Sequence, residues 1–501
     1  MRPFEILLVL ASLAALGLLA RRSTRASWLG SAAIGVTVLA AHLFGEGARP
    51  QLALIYAFVG LLTITACAKA LGVVLTLRRV IRGMLLGASA VALLTTAFLA
   101  SALPVFSLPT PTGPFAVGVQ YLDLVDPDRT DPFLSGSSQK REVLVKLYYP
   151  AVDDPAGPRA PYFGSPQMVR LFSAFLGLPD FAFDQLNLVQ THARTDLAVA
   201  DTEPRYPLLV FSHGAGMSLE TQTAQSEDLA SHGYVVAVID HTFASAGTVF
   251  PDRLVSAREA TTDFATPEPA GMITQIMADD VAFVLDRLTA LDAGVEASRF
   301  QGRLDLDRVG AIGHSVGGAV AYALAVRDPR IKAAIDLDGV VYVAPSGDVD
   351  DVAPFLMLAN DRGHVQAIAG RLPLMPAFEA LNDADRRFTL DVYGGSDAYA
   401  AAYAEARRNV VALTEVLERS DTLYTISGCD HMKFIDVGLF IGLAPLREAI
   451  GIGGGTEPAR CLQITSAVSL AFFDAHLKGG RPTALEALLE RYPELQRIRL
   501  N

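Results

Sequence analysis

The sequence predicts two parts of different fold class: an N-terminal all-α membrane region with four transmembrane helices, then an α/β domain with a mostly parallel sheet. Four apolar stretches fill the first 105 residues, at about 4–20, 27–45, 51–70 and 83–105. Each is close to the ~20 residues that a helix needs to cross a bilayer. Further along, short apolar strands alternate with helical patterns, which favours a parallel sheet covered by helices on both faces. The mean hydropathy of +0.34 agrees with a membrane-embedded part.

The distribution of charge predicts the orientation of the membrane region. Residues 1–105 carry a net charge of +7, and the rest of the chain carries −19. An acidic domain argues against nucleic-acid binding, which needs a basic surface. Cytoplasmic loops hold the excess of Lys and Arg, so the loops after the first and third spans should face the cytoplasm. We therefore expect an integral protein of the cell membrane whose large domain is extracytoplasmic. The arginines behind this expectation are Arg21, Arg22, Arg25, Arg78, Arg79 and Arg82.

The chain divides into a membrane region at 1–105, a proline-rich linker at 106–114 and a domain at 115–501. A helical stripe of apolar residues covers Met272–Leu288. The predicted strands are Phe115–Asp126, Arg141–Tyr149, Pro207–Ser212, Tyr234–Asp240, Arg308–Gly313, Ile331–Leu337, Pro354–Ala359 and Leu423–Ser427.

The sharpest motif lies between a predicted strand and a helix of small residues. It reads Gly313-His314-Ser315-Val316-Gly317-Gly318. A serine on a tight strand-to-helix turn needs small residues two positions before and after it, and this context is typical of the nucleophile elbow of α/β-hydrolases. The motif therefore predicts an α/β-hydrolase domain with Ser315 as nucleophile. The alternative reading is a glycine-rich turn without function.

A serine nucleophile needs a histidine base, which follows it in the chain order of this fold. Three histidines follow Ser315. His431 lies on a loop after the last predicted strand, where the base is expected. His364 follows an earlier strand, in the place where an acid would be expected, and His476 lies in a terminal helical pattern that favours packing.

The acid and the oxyanion donors are less tightly defined by position. Asp336 and Asp338 end one strand and Asp361 ends the next, so position alone leaves the acid open. The oxyanion hole should combine the N–H after the nucleophile with one from a turn after an earlier strand. The backbone N–H groups of Val316 and Ala215 fit this description.

Several blocks together resemble the platelet-activating factor acetylhydrolase family, the plasma and type II lipase-like group. They are Tyr206–Gly214, Asp228–Ala237, Gly313–Gly318 and His431–Asp436. The resemblance covers roughly residues 115–480. It implies an acid 23 residues after the serine, at Asp338, with Asp361 in reserve. Residues 362–422 are longer than the family's usual interval before its histidine and read as a helical cap or lid, or else as a passive surface insertion.

The expected function is a membrane-anchored serine ester hydrolase that needs no cofactor and no metal. Its expected partners are the membrane lipid bilayer and a small ester or a short-acyl or oxidised phospholipid. The alternatives are a dienelactone- or polyester-type hydrolase and a non-catalytic membrane sensor or transport protein whose hydrolase-like domain only binds ligands. A full Ser/Asp/His set argues against this last alternative.

The three cysteines add one expectation that depends on topology. An extracytoplasmic domain exposes Cys429 and Cys461 to an oxidising compartment, whereas Cys67 lies in a predicted span without a partner. We therefore expect a Cys429–Cys461 disulfide that fastens the loop carrying His431 to the last predicted helix.

Overall fold

The structure, a computed structural model, describes residues 1–21, 24–73, 78–262, 269–344, 349–360, 363–481 and 483–500. Its first part is a bundle of four helices, and by length and composition each of them could cross a membrane. The helices are α1 (Pro3–Ala20), α2 (Arg25–Gly45), α3 (Ala53–Ala70, preceded by a 3₁₀ turn at Pro50–Leu52) and α4 (Arg79–Ala102). Short connections make neighbouring helices antiparallel.

The two ends of the bundle carry different polar contacts. At one end, Arg49 pairs with Glu5 at 3.0 Å and also bonds to the backbone oxygen of Leu103. At the other end, the Arg82 guanidinium donates to the backbone oxygens of Leu19 and Arg21, at 2.6 and 2.9 Å. The arginine-rich connections therefore lie at the end opposite the linker to the second part.

The second part is built on an eleven-stranded sheet in the order β13-β12-β11-β10-β9-β5-β6-β2-β1-β4-β3. The six central strands, from β12 to β6, run parallel. The strands are β1 (Ala116–Thr130), β2 (Lys140–Ala151), β3 (Arg159–Pro161), β4 (Gln190–Thr195), β5 (Tyr206–Ser212), β6 (Val235–Asp240), β7 (Gly247–Val249), β8 (Leu254–Ser256), β9 (Leu304–His314), β10 (Ile331–Leu337), β11 (Phe355–Leu358), β12 (Leu423–Ile426) and β13 (Leu495–Arg497), of which β7 and β8 form a separate hairpin.

Helices pack on both faces of this sheet, as expected for strands whose residues are buried throughout. The helices are α5 (Pro166–Phe175), α6 (Thr223–Ser231), α7 (Pro269–Asp292), α8 (Val316–Arg327), α9 (His364–Ala369), α10 (Asp383–Tyr393), α11 (Ser396–Ser420), α12 (Ala444–Ala449), α13 (Pro458–Leu477) and α14 (Ala484–Arg491). The architecture is the α/β-hydrolase fold.

Every predicted strand is present, with ends that differ by up to four residues. The short strands β3, β4, β7, β8 and β13 were not predicted, because three to six residues leave too little alternation to detect. The interval from 362 to 422 contains α9, α10 and α11. The second half of α11 buries Leu413, Val416 and Leu417 in the main core, so this part of the interval packs on the sheet.

Candidate active site

Ser315 occupies the sharp turn between β9 and α8. Its backbone angles are φ 57° and ψ −123°, a conformation that side-chain-bearing residues rarely adopt and that strains the turn. A Cβ atom on Gly313 would overlap the backbone oxygen of Gly317, and one on Gly317 would overlap that of Ser212. Only glycine fits at these two positions, which explains the spacing of the motif.

A second turn, after β5, lies directly against Ser315. An ideal Cβ on Gly214 would lie 3.1 Å from Cβ of Ser315. Among the residues that the structure describes, no acceptor bonds to the backbone N–H of Ala215 or of Val316. These two N–H groups are therefore available to a developing oxyanion.

A buried chain of polar groups holds the Gly214 turn from behind. His213 donates from Nδ1 to the backbone oxygen of Gly214 at 2.8 Å, and its Nε2 accepts from the backbone N–H of His241 at 3.1 Å. Burial, with the neighbouring His241 imidazole, lowers the pKa of His213 to about 3, so the ring is neutral and keeps this tautomer. The turn is thereby fixed in one orientation.

The chain continues from His241 into the interior. Its Nδ1 lies 3.0 Å from Oδ2 of Asp280, and the Arg141 guanidinium binds both oxygens of that carboxylate, at 3.0 and 2.6 Å. Burial alone would raise the pKa of Asp280, but the Arg141 charge and bonds outweigh it and hold the pKa well below its ordinary value. A buried, bidentate ion pair between β2 and α7 thus supports the Gly214 turn. We name this turn, residues 213–216, the oxyanion turn, after the donor that the sequence predicts at Ala215.

Asp338 and His431 meet above the sheet's carboxyl edge. His431 Nδ1 lies 2.7 Å from Oδ2 of Asp338, which follows β10. The backbone N–H and the side-chain amide of Asn360 donate to the same carboxylate, at 2.8 and 2.6 Å. His364 Nδ1 contacts its other oxygen, also at 2.7 Å. Burial alone would raise the pKa of Asp338, but the bonds from the two imidazoles outweigh it and lower the pKa well below the ordinary value.

The neighbouring carboxyls differ from Asp338. Asp336 contacts the backbone N–H of Gly339 at 2.6 Å but has no bond to an imidazole, and burial raises its pKa to about 7. Asp361, the reserve acid, lies outside the described residues. His476 stacks on Phe472 in α13, with ring centroids 4.6 Å apart, in a packing role.

Three devices position the loop that carries His431. Cys429 and Cys461 form a disulfide between this loop and α13, with Cα atoms 5.9 Å apart. The buried Lys433 ammonium donates to the backbone oxygens of Gly454 and Thr456, each at 2.7 Å. The buried Asp436 carboxylate accepts from Tyr162 and from the first turn of α6. The loop is therefore tied to the rest of the domain both before and after His431.

Two adjoining cavities complete the site. The catalytic cavity, about 270 Å³, is lined by Ser315, Val316, Asp338, His364 and His431 among others. A second cavity of about 320 Å³ lies beneath α10 and α11 and is mostly apolar. The two share a wall that includes Val340, Tyr342, His364 and Leu374. The apolar cavity therefore lies directly beside the cavity that Ser315 lines.

The residues that hold the candidate site in place were harder to find in the sequence than the candidate catalytic residues. His364 was noted only for its position, and the His213, His241, Asp280 and Arg141 chain was not anticipated. Their partners are 28 to 139 residues apart in sequence. One sequence signal did point to a supporting residue. The H-x-x-F-x-D pattern at His431–Asp436 ends at Asp436, which anchors the histidine loop.

Within the described ranges, one group of three side chains could hold a metal ion: Glu5, His42 and Glu46, in the bundle and remote from Ser315. Arg49 and Arg2 already pair with Glu5 there, and His42 bonds to Glu46 at 3.0 Å.

Comparison with known proteins links this geometry to a family. Residues 101–264 match the profile described as "Platelet-activating factor acetylhydrolase, isoform II", and residues 209–451 match "Alpha/beta hydrolase family". The predicted resemblance to the platelet-activating factor acetylhydrolase family is confirmed. A platelet-activating factor acetylhydrolase of Cavia porcellus is 26% identical over 254 residues, which cover 46% of this chain and 55% of the relative. The chain spans about half the length of the first curated relatives that it matches.

Two further similar proteins match most of the chain. A probable 1-alkyl-2-acetylglycerophosphocholine esterase of Arthroderma benhamiae is 27% identical and covers 82% of this chain and 99% of the relative. A solved ferulic acid esterase from Streptomyces cinnamoneus superposes with a TM-score of 0.56 at 27% identity. That match covers 79% of this chain and all of the esterase.

Proposed function

We propose that this protein is a membrane-anchored serine ester hydrolase of the platelet-activating factor acetylhydrolase type. The observation that carries the proposal is the 2.7 Å bond between His431 Nδ1 and Asp338 in a cavity that Ser315 also lines. A carboxylate on Nδ1 leaves the Nε2 lone pair of the imidazole available as a general base. The elbow serine beside it is the nucleophile that such a base activates.

The reaction follows from the placement of these groups. Ser315 Oγ attacks the ester carbonyl while His431 takes its proton, and the N–H groups of Ala215 and Val316 stabilise the tetrahedral oxyanion. The imidazolium then protonates the leaving alcohol. Water, activated by His431, hydrolyses the acyl-enzyme and releases the acid. The chain's own residues suffice for each step.

The cavity beneath α10 and α11 favours an acyl group larger than acetyl. It adjoins the catalytic cavity, with which it shares a wall, and is lined by apolar residues of the segment we propose as the cap, including Leu374, Val410 and Leu413. One relative is named for a glycerophosphocholine ester and one for ferulic acid esters, and the first of these matches 82% of this chain. We propose a lipid ester or another carboxylic ester with a medium-sized acyl group as substrate.

We further propose that the four N-terminal helices span the membrane and hold the hydrolase domain on the extracytoplasmic side. The arginines of the connections after α1 and α3 support this orientation, because such residues favour the cytoplasm. The linker leaves the opposite end of the bundle, where Arg49 bonds to Leu103.

Labelling with a fluorophosphonate tests the catalytic assignment. Purified protein should label, and Ser315→Ala should remove the label. Ser137→Ala, in an exposed loop, is the matched control and should label like the unaltered chain. Labelling that survives Ser315→Ala would refute the assignment, and a protein that neither labels nor cleaves any ester would favour a ligand-binding domain.

A further inference from the structure

The transmembrane bundle touches the hydrolase domain at the edge where catalysis is proposed. The six parallel strands all end at one edge of the sheet, and the loops that follow them carry Ser315, Asp338 and His431. The loop after β12 continues to Gly442, whose backbone N–H donates to the backbone oxygen of Ala102, the last residue of α4, at 2.9 Å. Phe106 of the linker stacks on Phe440 of the same loop, with ring centroids 5.6 Å apart.

A second contact joins the bundle to this edge. Gln51, in the 3₁₀ turn that leads into α3, donates to the backbone oxygen of Ala182 at 3.1 Å and to the buried side chain of Gln185 at 2.6 Å. Leu188 lies against Gly47 of the same connection. The bundle therefore meets the domain through two segments, the loop after β12, which also carries His431, and residues 182–188.

Between this contact and the oxyanion turn lies an exposed apolar segment, Phe175–Phe181, which we name the apolar loop. Its four large side chains remain strongly exposed: Phe175 by 38%, Leu176 by 45%, Leu178 by 43% and Phe181 by 59%. Asp180 is its one charged residue. At one end of the apolar loop, the Phe175 ring packs against Gly216 of the oxyanion turn. At the other end, the backbone oxygen of Ala182, one residue after the loop, accepts the hydrogen bond from Gln51.

Soluble proteins rarely expose several large apolar side chains in so short a segment unless another surface covers them. The segment's attachment to the first residues of a membrane helix identifies that surface as the bilayer. We propose that the apolar loop rests in the outer leaflet and that the catalytic edge faces the membrane. The site then takes ester-bearing lipids from the bilayer that anchors the chain. This inference rests on the proposed function and deepens it.

Fluorescence quenching tests the contact without measuring activity. Trp28, the chain's single tryptophan, lies in α2 and serves as a positive control when the unaltered protein is placed in vesicles of phosphatidylcholine brominated on its acyl chains. In a Trp28→Phe background, Leu178→Trp and Phe181→Trp each place a reporter in the apolar loop. Val295→Trp is the matched control, because Val295 is 71% exposed and precedes β9 at the opposite edge of the sheet.

We expect strong quenching at positions 178 and 181 and none at 295. Quenching at 178 and 181 that is no greater than at 295 would overturn the proposal. A second copy of the chain that covers the apolar loop would also prevent quenching at positions 178 and 181. Crosslinking between two copies through this loop would identify that case, and it would likewise overturn the bilayer as the partner.

A substrate comparison then tests the consequence for catalysis. The triple variant Leu176→Ser, Leu178→Ser, Phe181→Ser should lower kcat/KM for an ester lipid in the same vesicle, relative to a water-soluble ester, by about tenfold. Val295→Ser should leave this ratio unchanged. An equal fall for both substrates would overturn the proposal, whereas absence of hydrolysis of every ester would refute the proposed function and leave the quenching result standing.

Discussion

His364 and Asp338 are joined by a 2.7 Å contact, so the carboxylate that orients His431 is shared with a second imidazole. His364 is buried, and the rest of its ring lines the wall between the two cavities. Burial alone would lower its pKa, but the bond and charge of Asp338, with Asp336 nearby, outweigh it and raise the pKa above the ordinary histidine value. The carboxylate thus stabilises the protonated form of His364.

The first prediction concerns the pH dependence of stability. A histidine whose pKa is higher in the folded state than in the unfolded state stabilises the fold when it is protonated. This stabilisation is complete below the unfolded-state pKa of about 6.5, and it is lost as the pH rises through the folded-state pKa. The melting temperature of His364→Asn should therefore fall furthest below that of the unaltered protein at pH 5.5, and the gap should narrow as pH rises.

A control of opposite sign accompanies this experiment. Burial lowers the pKa of His476, so protonation of this histidine destabilises the fold at low pH. The difference in melting temperature between the unaltered protein and His476→Asn should therefore widen as the pH rises. Melting temperatures measured in detergent from pH 5.5 to 9 compare the two variants. A gap for His364→Asn that is constant with pH would contradict the assigned interaction.

The second prediction separates two aspartates on one strand end. Asp338→Asn should lower kcat by about 10³–10⁴, because the variant's amide cannot orient and stabilise the imidazolium. Asp336→Asn should lower kcat by less than about tenfold, because the Asp336 carboxyl accepts from the backbone N–H of Gly339 and, among the described residues, bonds to no imidazole. Single-turnover kinetics with a chromogenic ester measure both. Equal losses would show that the 2.7 Å contact does not define the acid.

The candidate catalytic residues that the sequence singled out, Ser315, Asp338 and His431, line one cavity in the structure, whereas the residues that support them were not singled out. The elbow was readable because steric exclusion at Gly313 and Gly317 restricts the allowed residues so strongly. The position of residues along the chain left three aspartates as candidates for the acid that orients the histidine. The family resemblance was needed to select Asp338 among them. The Asp338–His364 contact depends on how β10 and the loop after β11 approach in space, and a single sequence does not encode that distance locally.

The same limit applies to the fold. The parallel core and the four apolar helices follow from hydrophobic patterns within one segment. The contact of Gln51 with Ala182 and Gln185 joins residues more than 130 positions apart, and no periodicity signals it. The relation between the bundle and the catalytic edge therefore came from the structure.

The third prediction tests the second cavity as an acyl site. Val410→Trp should fill part of the roughly 320 Å³ beneath α10 and α11. Because a filled pocket excludes longer chains, the ratio of kcat/KM for a hexanoyl ester to that for an acetyl ester should fall by about tenfold or more. Ile450→Trp, at an exposed position outside the cavity, is the control and should preserve the ratio. An unchanged ratio in Val410→Trp would remove the acyl assignment.

The last prediction concerns the disulfide beside the catalytic histidine. Cys429 lies two residues before His431, and Cys461 lies in α13, 32 positions further along. Closing a loop of this length restricts the unfolded chain, and chain-entropy estimates give roughly 3–4 kcal/mol of stability. Loss of the bridge also frees one side of the histidine loop, and a displacement of about 1 Å at a base can cost about 10²-fold in rate.

We therefore expect Cys461→Ser to lower both the melting temperature and kcat, and reductant to reproduce the change in the unaltered protein. Cys67→Ser is the matched control, because Cys67 is exposed on α3 and free, and it should alter neither quantity. Denatured, unreduced protein should contain one reactive thiol. Three reactive thiols would contradict the bridge, and they would also argue against an extracytoplasmic domain, since the bridge needs an oxidising compartment to form and persist.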